Sequence, residues 1–223
     1  MRQLQIINAS KSFGDKSVLS EVSLSCQTND IIGLFGRNGT GKSTLLKIAF
    51  GSVKADAISI IYDGKVILAQ KVIPAQILGY LPQESFLPKH LRVRDIIPLF
   101  FQRSEDQDLV FYAPKIRTFD HMRLGELSLG QRRYLEVLLI GNLEHPFLFL
   151  DEPFSMIEPL YKEEIKIVLA KLSKYKGIVI TDHYYDDVLE ITNKNFLLMD
   201  SKLHEIQSKN ELINLNYLTK NSN

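Results

Sequence analysis

The sequence predicts an α/β fold: a parallel sheet flanked by helices, with an antiparallel β subdomain ahead of it and a small helical subdomain inserted in its middle. Three observations predict it. Short apolar runs, Ile31 to Phe35, Phe147 to Leu150 and Ile178 to Ile180, alternate with segments whose apolar residues recur at helical spacing, as in strands buried on both faces between helices. The first thirty residues alternate in strand fashion. From Pro88 to about Met122, short apolar clusters stand among charges, with Pro98 and Pro114 as breaks.

Taken in order, Leu4, Ile6, Val18, Val22 and Leu24 are expected on one face of an antiparallel pair turned at Phe13-Gly14-Asp15-Lys16. The run Ile31 to Phe35 is expected as a buried strand feeding a glycine-rich loop, and Leu45, Leu46, Ile48 and Ala49 mark the helix after it. In "AISIIYDGKVILAQ", Asp63-Gly64 between two β-rich runs is a two-residue hairpin signal. The insert, with Ile96, Ile97, Leu99, Phe100 and Phe101, reads as mainly helical. An amphipathic helix is expected from Ser128 to about Leu143, then a strand Phe147 to Leu150, a helix from about Pro159 to Tyr175 and a strand Gly177 to Thr181. Residues 201–223 read as a final strand or turn, a short helix around Glu211 to Leu218 and a frayed polar end. The expected organisation is one domain, 1–223, with a core at about 1–86 and 137–200, a helical subdomain at about 87–136 and a tail from about 201.

The loop Gly36-Arg37-Asn38-Gly39-Thr40-Gly41-Lys42-Ser43, followed by Thr44, satisfies G-x-x-x-x-G-K-[ST] with a third glycine inside, the pattern of a P-loop nucleotide-binding core. Its glycines let backbone N–H groups turn onto phosphate oxygens, and the helix beginning near Lys42 aims its partially positive end at the same anion. Lys42 is expected at the β- and γ-phosphates and Ser43 on Mg²⁺. In "FLFLDEP" a buried strand leaves Asp151 and Glu152 at the carboxyl edge of the sheet, where α/β ligand sites lie. That places Asp151 near Mg²⁺ and Glu152 where it can orient or deprotonate a water attacking a γ-phosphate.

Composition narrows the classes. The chain has 223 residues, 45% of them apolar and 24% charged, enough to bury a full core. A net charge of +1 gives no reason to expect a nucleic-acid partner or an anionic membrane surface. The single Cys26 excludes an intramolecular disulfide and, with the start "MRQLQIINASKSFGD", argues for a reducing cytosolic setting. No run approaches the roughly eighteen apolar residues of a spanning helix. His90, His121, His145 and His204 show no metal-ligand spacing and read as surface residues, and Tyr184-Tyr185 reads as packing.

Beyond these motifs, "LSLGQRRYLEV", Leu127 to Val137, resembles the signature of ATP-binding cassette (ABC) ATPases, and it stands shortly before "FLFLDEP" as it does in that family. The resemblance covers about residues 4 to 200 and implies an ABC-type P-loop core. It implies further that Phe13 in "KSFGDKSVL" stacks on adenine and that Gln83 in "YLPQES" touches Mg²⁺ and the attacking water. "SMIEP", Ser155 to Pro159, would be the D-loop after the catalytic glutamate, and His183 in "VITDHYYDDV" would be a switch histidine. Ser128 and Gly130, with Gln131, form a second anion-binding helix start, which in the family faces a nucleotide held by another chain. Two head-to-tail cassettes would then bury two ATP molecules.

The resemblance thus implies a hydrolase of ATP with Mg²⁺, its catalytic set Lys42, Gln83, Glu152 and His183 and its metal set Ser43, Gln83 and Asp151. A second such chain is implied, as a homodimer, together with an integral membrane transporter subunit and a peripheral place on the cytoplasmic face of a membrane. The apolar residues Ile96 to Phe101 and Phe111-Tyr112 would either line a groove for that subunit or simply pack the insert. "LDEPF" followed by "EP", with "ITDH", is similar to the ATPases of lipopolysaccharide export and of branched-chain amino acid uptake. Two departures stand out: Leu129 occupies a common glycine position and Glu158 a common aspartate position. The alternatives are a soluble ABC-type ATPase acting on ribosomes or DNA, against which a single cassette without coiled-coil inserts speaks, and a nucleotide sensor without turnover, against which Glu152 speaks.

Overall fold

The computed structural model describes residues 1–215 and 217; the expected end of the last helix at Leu218 and the polar end after it lie outside the described residues. Strands β1 (Gln3–Phe13), β2 (Lys16–Gln27), β4 (Ala57–Tyr62) and β5 (Lys65–Ile67) form a four-stranded antiparallel sheet in the order β2-β1-β4-β5. The β4–β5 turn is Asp63-Gly64, both with positive φ (48° and 77°), the conformation that matches a two-residue turn to strand twist. One expectation is corrected. Asn8 and Glu21 take φ near +53° and +54° beside register shifts in the β1–β2 ladder, so the inward face slips there. Ala9 and Leu19 are buried as a result, while Val18 is only half-buried.

The second sheet has six strands in the order β10-β9-β3-β8-β7-β6. Strands β3 (Ile31–Phe35), β6 (Leu78–Leu81), β7 (Phe147–Asp151), β8 (Gly177–Thr181) and β9 (Lys194–Met199) run parallel, and β10 (Lys202–Ile206) closes the edge antiparallel to β9. Every residue of β3, β7 and β8 is buried, yet the period of two survives inside them. Ile32, Leu34, Phe147, Phe149 and Val179 pack with α1 (Lys42–Phe50) and the antiparallel sheet. Leu148, Leu150, Ile178 and Ile180 pack with α5 (Leu129–Gly141) and α6 (Pro159–Leu172) on the other side. Both helices end two or three residues short of their expected limits.

The insert holds α2 (Val93–Phe100), α3 (Ser104–Phe111) and α4 (Ile116–Phe119). Pro98 does not break the chain as its residue type suggested; it sits in the last turn of α2, where only one helical N–H is forfeited before the helix ends. Ile96, Ile97 and Phe101 are core, and among the apolar residues considered for a groove Leu99 and Tyr112 are exposed. The expected border at 136/137 falls inside α5, which runs unbroken through it. Two further corrections concern polar surfaces. His145 is half-buried rather than on the surface, its Nδ1 enclosed without a hydrogen-bond partner, and Tyr184 stays partly exposed, with the Lys162 ammonium 3.5 Å from the centre of its ring. After β8 come α7 (Tyr185–Ile191) and, past β10, α8 (Lys209–Asn214).

Candidate nucleotide site

Four parallel strands deliver the site at one edge of the sheet. β3 ends into the loop 36–41, β6 into Gln83, β7 at Asp151 and β8 into Asp182 and His183, and the register sets Asp151 directly beside Thr181. The loop needs its last glycine twice over. Gly41 caps α1 with φ 108°, and a Cβ there would stand 2.6 Å from the Val18 side chain. Lys42 is buried at the first turn of α1; its ammonium donates to the carbonyls of Gly36 at 2.6 Å and Arg37 at 3.3 Å. Burial lowers its pKa, against the nearby carboxylates of Glu152, Asp151 and Asp182, which raise it.

Asp151 is buried and fully engaged. Its Oδ1 accepts from Ser43 Oγ at 3.0 Å and Thr181 Oγ1 at 2.7 Å, and its Oδ2 accepts from Tyr80 Oη at 3.1 Å. Burial first, and then the Asp151 charge and hydrogen bond, push the Tyr80 phenol up, so it stays a donor. Glu152 takes a left-handed backbone, φ 54°, with its N–H donating to Thr181 O at 2.8 Å. Its Oε1 lies 2.9 Å from His183 Nε2, while its Oε2 accepts from Gln83 Nε2 at 2.9 Å and Ser155 Oγ at 3.1 Å. Residues far apart in sequence thus converge on one carboxylate.

Phe13, Asn38, Gly39, Gly41, Lys42, Ser43, Thr44, Gln83, Glu152 and His183 line a single cleft of about 550 Å³. Phe13 stands at its rim, 54% exposed, with the Lys11 ammonium 5.1 Å from its ring centre. Gly36 sits behind it as the acceptor for Lys42, and Thr40 Oγ1 turns back to donate to Arg37 O at 2.9 Å. Ser128, Gly130 and Gln131 are absent from that lining. Ser128 caps α5 reciprocally with Gln131, N–H to side chain at 3.2 and 2.9 Å. A Cβ on Gly130 would meet the Glu158 carboxylate and lie 2.6 Å from the Tyr161 ring, so a side chain there would have to push both aside. Leu129, 55% exposed, and Met156, 77% exposed, line an adjoining cleft with Ser155, Glu152 and His183.

The residues present suit a hard cation and a polyphosphate. Ser43 and Asp151 offer oxygen donors 3.0 Å apart, the ligand type Mg²⁺ takes, and the Lys42 ammonium has backbone carbonyls as its hydrogen-bond partners. Several members of the site carried no readable signal. Tyr80 and Thr181 look like ordinary strand residues, and Asp182 is hidden beside the more conspicuous His183. Arg133 donates to the carbonyls of Pro82 and Gln83 and pairs with Glu136, which accepts from Ser85 Oγ at 2.5 Å, so α5 grips the loop bearing Gln83.

A protein-family model described as ABC transporter matches residues 19–155. The chain belongs to the ABC transporter ATPase family. It is 31% identical over 224 residues to the lipopolysaccharide export system ATP-binding protein LptB of Haemophilus influenzae, covering 93% of this chain and 91% of that one. To LptB of Escherichia coli K12 it is 30% identical over 215 residues, covering 91% and 89%. Among solved structures, a nucleotide-free ATP-binding cassette from an ABC transporter superposes with TM-score 0.82 at 22% identity over 99% of this chain and 97% of that one. A bacterial Atm1-family ABC exporter with ATP bound does so with TM-score 0.82 at 17% identity over 96% of this chain and 40% of that one. At those identities the structures speak for the fold. As a member of the family this cassette is an ATP-binding and ATP-hydrolysing subunit whose class couples hydrolysis to transport and works with membrane partners and as a dimer. Among the described residues no helix is long and apolar enough to cross a membrane.

Proposed function

We propose that this cassette binds MgATP in the cleft between Phe13 and His183 and hydrolyses it at Glu152, acting as one of two identical chains beneath a membrane-embedded transport subunit. The observation that carries the reading is Glu152, whose two oxygens meet His183 and Gln83 at 2.9 Å each, at the mouth of the glycine-rich loop. In this reading Phe13 offers a ring face to adenine. Lys42 exchanges the carbonyls of its own loop for phosphate oxygens, joined by the loop N–H groups from Gly39 to Thr44. Ser43, Asp151 and Gln83 are the residues that would hold Mg²⁺, which when bound neutralises charge on the phosphates. Glu152 accepts the proton of, or aligns, the attacking water, and His183 donates to the γ-phosphate. Ser128, Gly130 and Gln131, outside the cleft, serve the nucleotide of the partner chain.

The cytoplasmic face of a membrane is the place we assign to it, on the strength of its relatives and of the lone buried Cys26. Lipopolysaccharide export, the process for which those relatives are named, makes an amphiphilic glycolipid the cargo this reading favours. Glu152→Gln tests the core of it: turnover should fall by roughly a hundredfold or more while ATP affinity is kept, and unchanged turnover would remove Glu152 from the mechanism.

A further inference from the structure

Asp182 lies between β8 and His183 and is completely buried. Its carboxylate gathers donors from two separate segments. Oδ2 accepts from Phe154 N–H at 2.7 Å, and Oδ1 accepts from Tyr184 N–H at 3.0 Å and from Ser155 Oγ at 3.3 Å, while His183 N–H also donates to it. Phe154 and Ser155 belong to the turn after Glu152, and His183 and Tyr184 to the segment that carries the imidazole. One carboxylate therefore ties the two together. Burial pushes its carboxyl upward and the surrounding N–H groups draw it back, so the charge is held by neutral donors fixed in the backbone.

The Ser155 hydroxyl adds a direct link. It has a single proton and stands between two carboxylates, Asp182 at 3.3 Å and Glu152 Oε2 at 3.1 Å. Glu152 itself holds a left-handed backbone that a glutamate adopts only when its surroundings impose it, and the turn anchored on Asp182 begins one residue later. We propose that Asp182 is a positioning residue for hydrolysis, holding the Glu152 turn and the His183 segment at one separation and thereby setting the contact between the two side chains. The proposal rests on Glu152 being the group that orients the attacking water. Asp182 touches neither nucleotide nor water in it.

The substitution Asp182→Asn replaces one acceptor with an amide that must face an N–H, so the two segments part without any change in side-chain volume. Ser155→Ala removes only the shared hydroxyl. Steady-state ATP turnover of the purified full chain should show KM for ATP kept within about twofold for both variants, with kcat down roughly tenfold in Asp182→Asn and roughly threefold in Ser155→Ala. Combined with Glu152→Gln, Asp182→Asn should cost less than about twofold more, because it acts through the missing carboxylate. Full kcat in either variant, a rise in KM equal to the fall in kcat, or a tenfold loss that multiplies undiminished onto Glu152→Gln would overturn the proposal. Should Asp182→Asn fail to fold, Ser155→Ala decides alone, with undiminished kcat counting against. Wild-type turnover in Glu152→Gln by itself would instead sink the underlying reading.

Discussion

Phe13 and Asp151 illustrate two kinds of residue in the site. The Phe13 ring is held out at the end of β1, half in water, where burial contributes little and a planar ligand has most to offer. Phe13→Ala is expected to weaken ATP by roughly tenfold and tripolyphosphate hardly at all, measured by competition against a fluorescent nucleotide. Equal losses for both ligands would refute base stacking. Asp151, in contrast, is built in before any ligand arrives, with Ser43, Thr181 and Tyr80 donating to its two oxygens. In the sequence, "FLFLDEP" singled out Asp151 only through the acidic pair and the P-loop together, since either acid alone reads as a solvated strand end. Tyr80 was not singled out, since a tyrosine in a strand reads as packing until the neighbouring strand is placed beside it.

At the scale of elements, β3, β7 and β8 and the helices α1, α5 and α6 were legible because burial on both faces leaves a clear apolar run, and Asp63-Gly64 announced its hairpin. The pattern missed β6, β9 and α7, and also the places where one residue alters the period. The bulges at Asn8 and Glu21 exchange Val18 for Leu19 in the core, and Pro98 rests in a last turn where its missing N–H forfeits a single helical bond. The signature helix depends on close approach to α6. Gly130→Ala should cost about 1–3 kcal/mol of stability by forcing the Tyr161 ring aside, read from urea unfolding.

The loop before β7 makes a different prediction. Lys176 is buried, donating to the carbonyls of Leu143 at 2.6 Å and His145 at 2.5 Å, and burial brings its pKa down to about 8. Between pH 8 and about 10 the unfolded chain therefore binds more protons at this residue than the native one does. The penalty for burying the charge is complete below pH 8 and is relieved as pH rises. Wild type should gain about 1–2 kcal/mol on Lys176→Met across that interval. A stability difference that stays flat with pH would contradict a buried charge.

For the whole molecule, the proposed reading is that one chain carries two halves of a phosphate grip that serve two different nucleotides. The P-loop cleft is lined by Lys42, Ser43 and Glu152, whereas Ser128 and the buried Gly130 lie outside it at the start of α5. That division is what the resemblance to the ABC family implies, since in that family the signature faces a nucleotide held by another chain. The identity of the membrane partner was not legible, because the apolar residues of the insert divide between core, as at Ile96, Ile97 and Phe101, and surface, as at Leu99 and Tyr112. The shape of a groove depends on which side each residue takes, and spacing alone does not decide that.

Light scattering of the Glu152→Gln chain with and without ATP and Mg²⁺ tests the central claim most directly. Nucleotide that binds but is not cleaved should hold two chains together, giving twice the chain mass with ATP and Mg²⁺ and the mass of a single chain without them. A single chain at saturating ATP, with binding confirmed in the same sample, would contradict an ATP-bridged dimer.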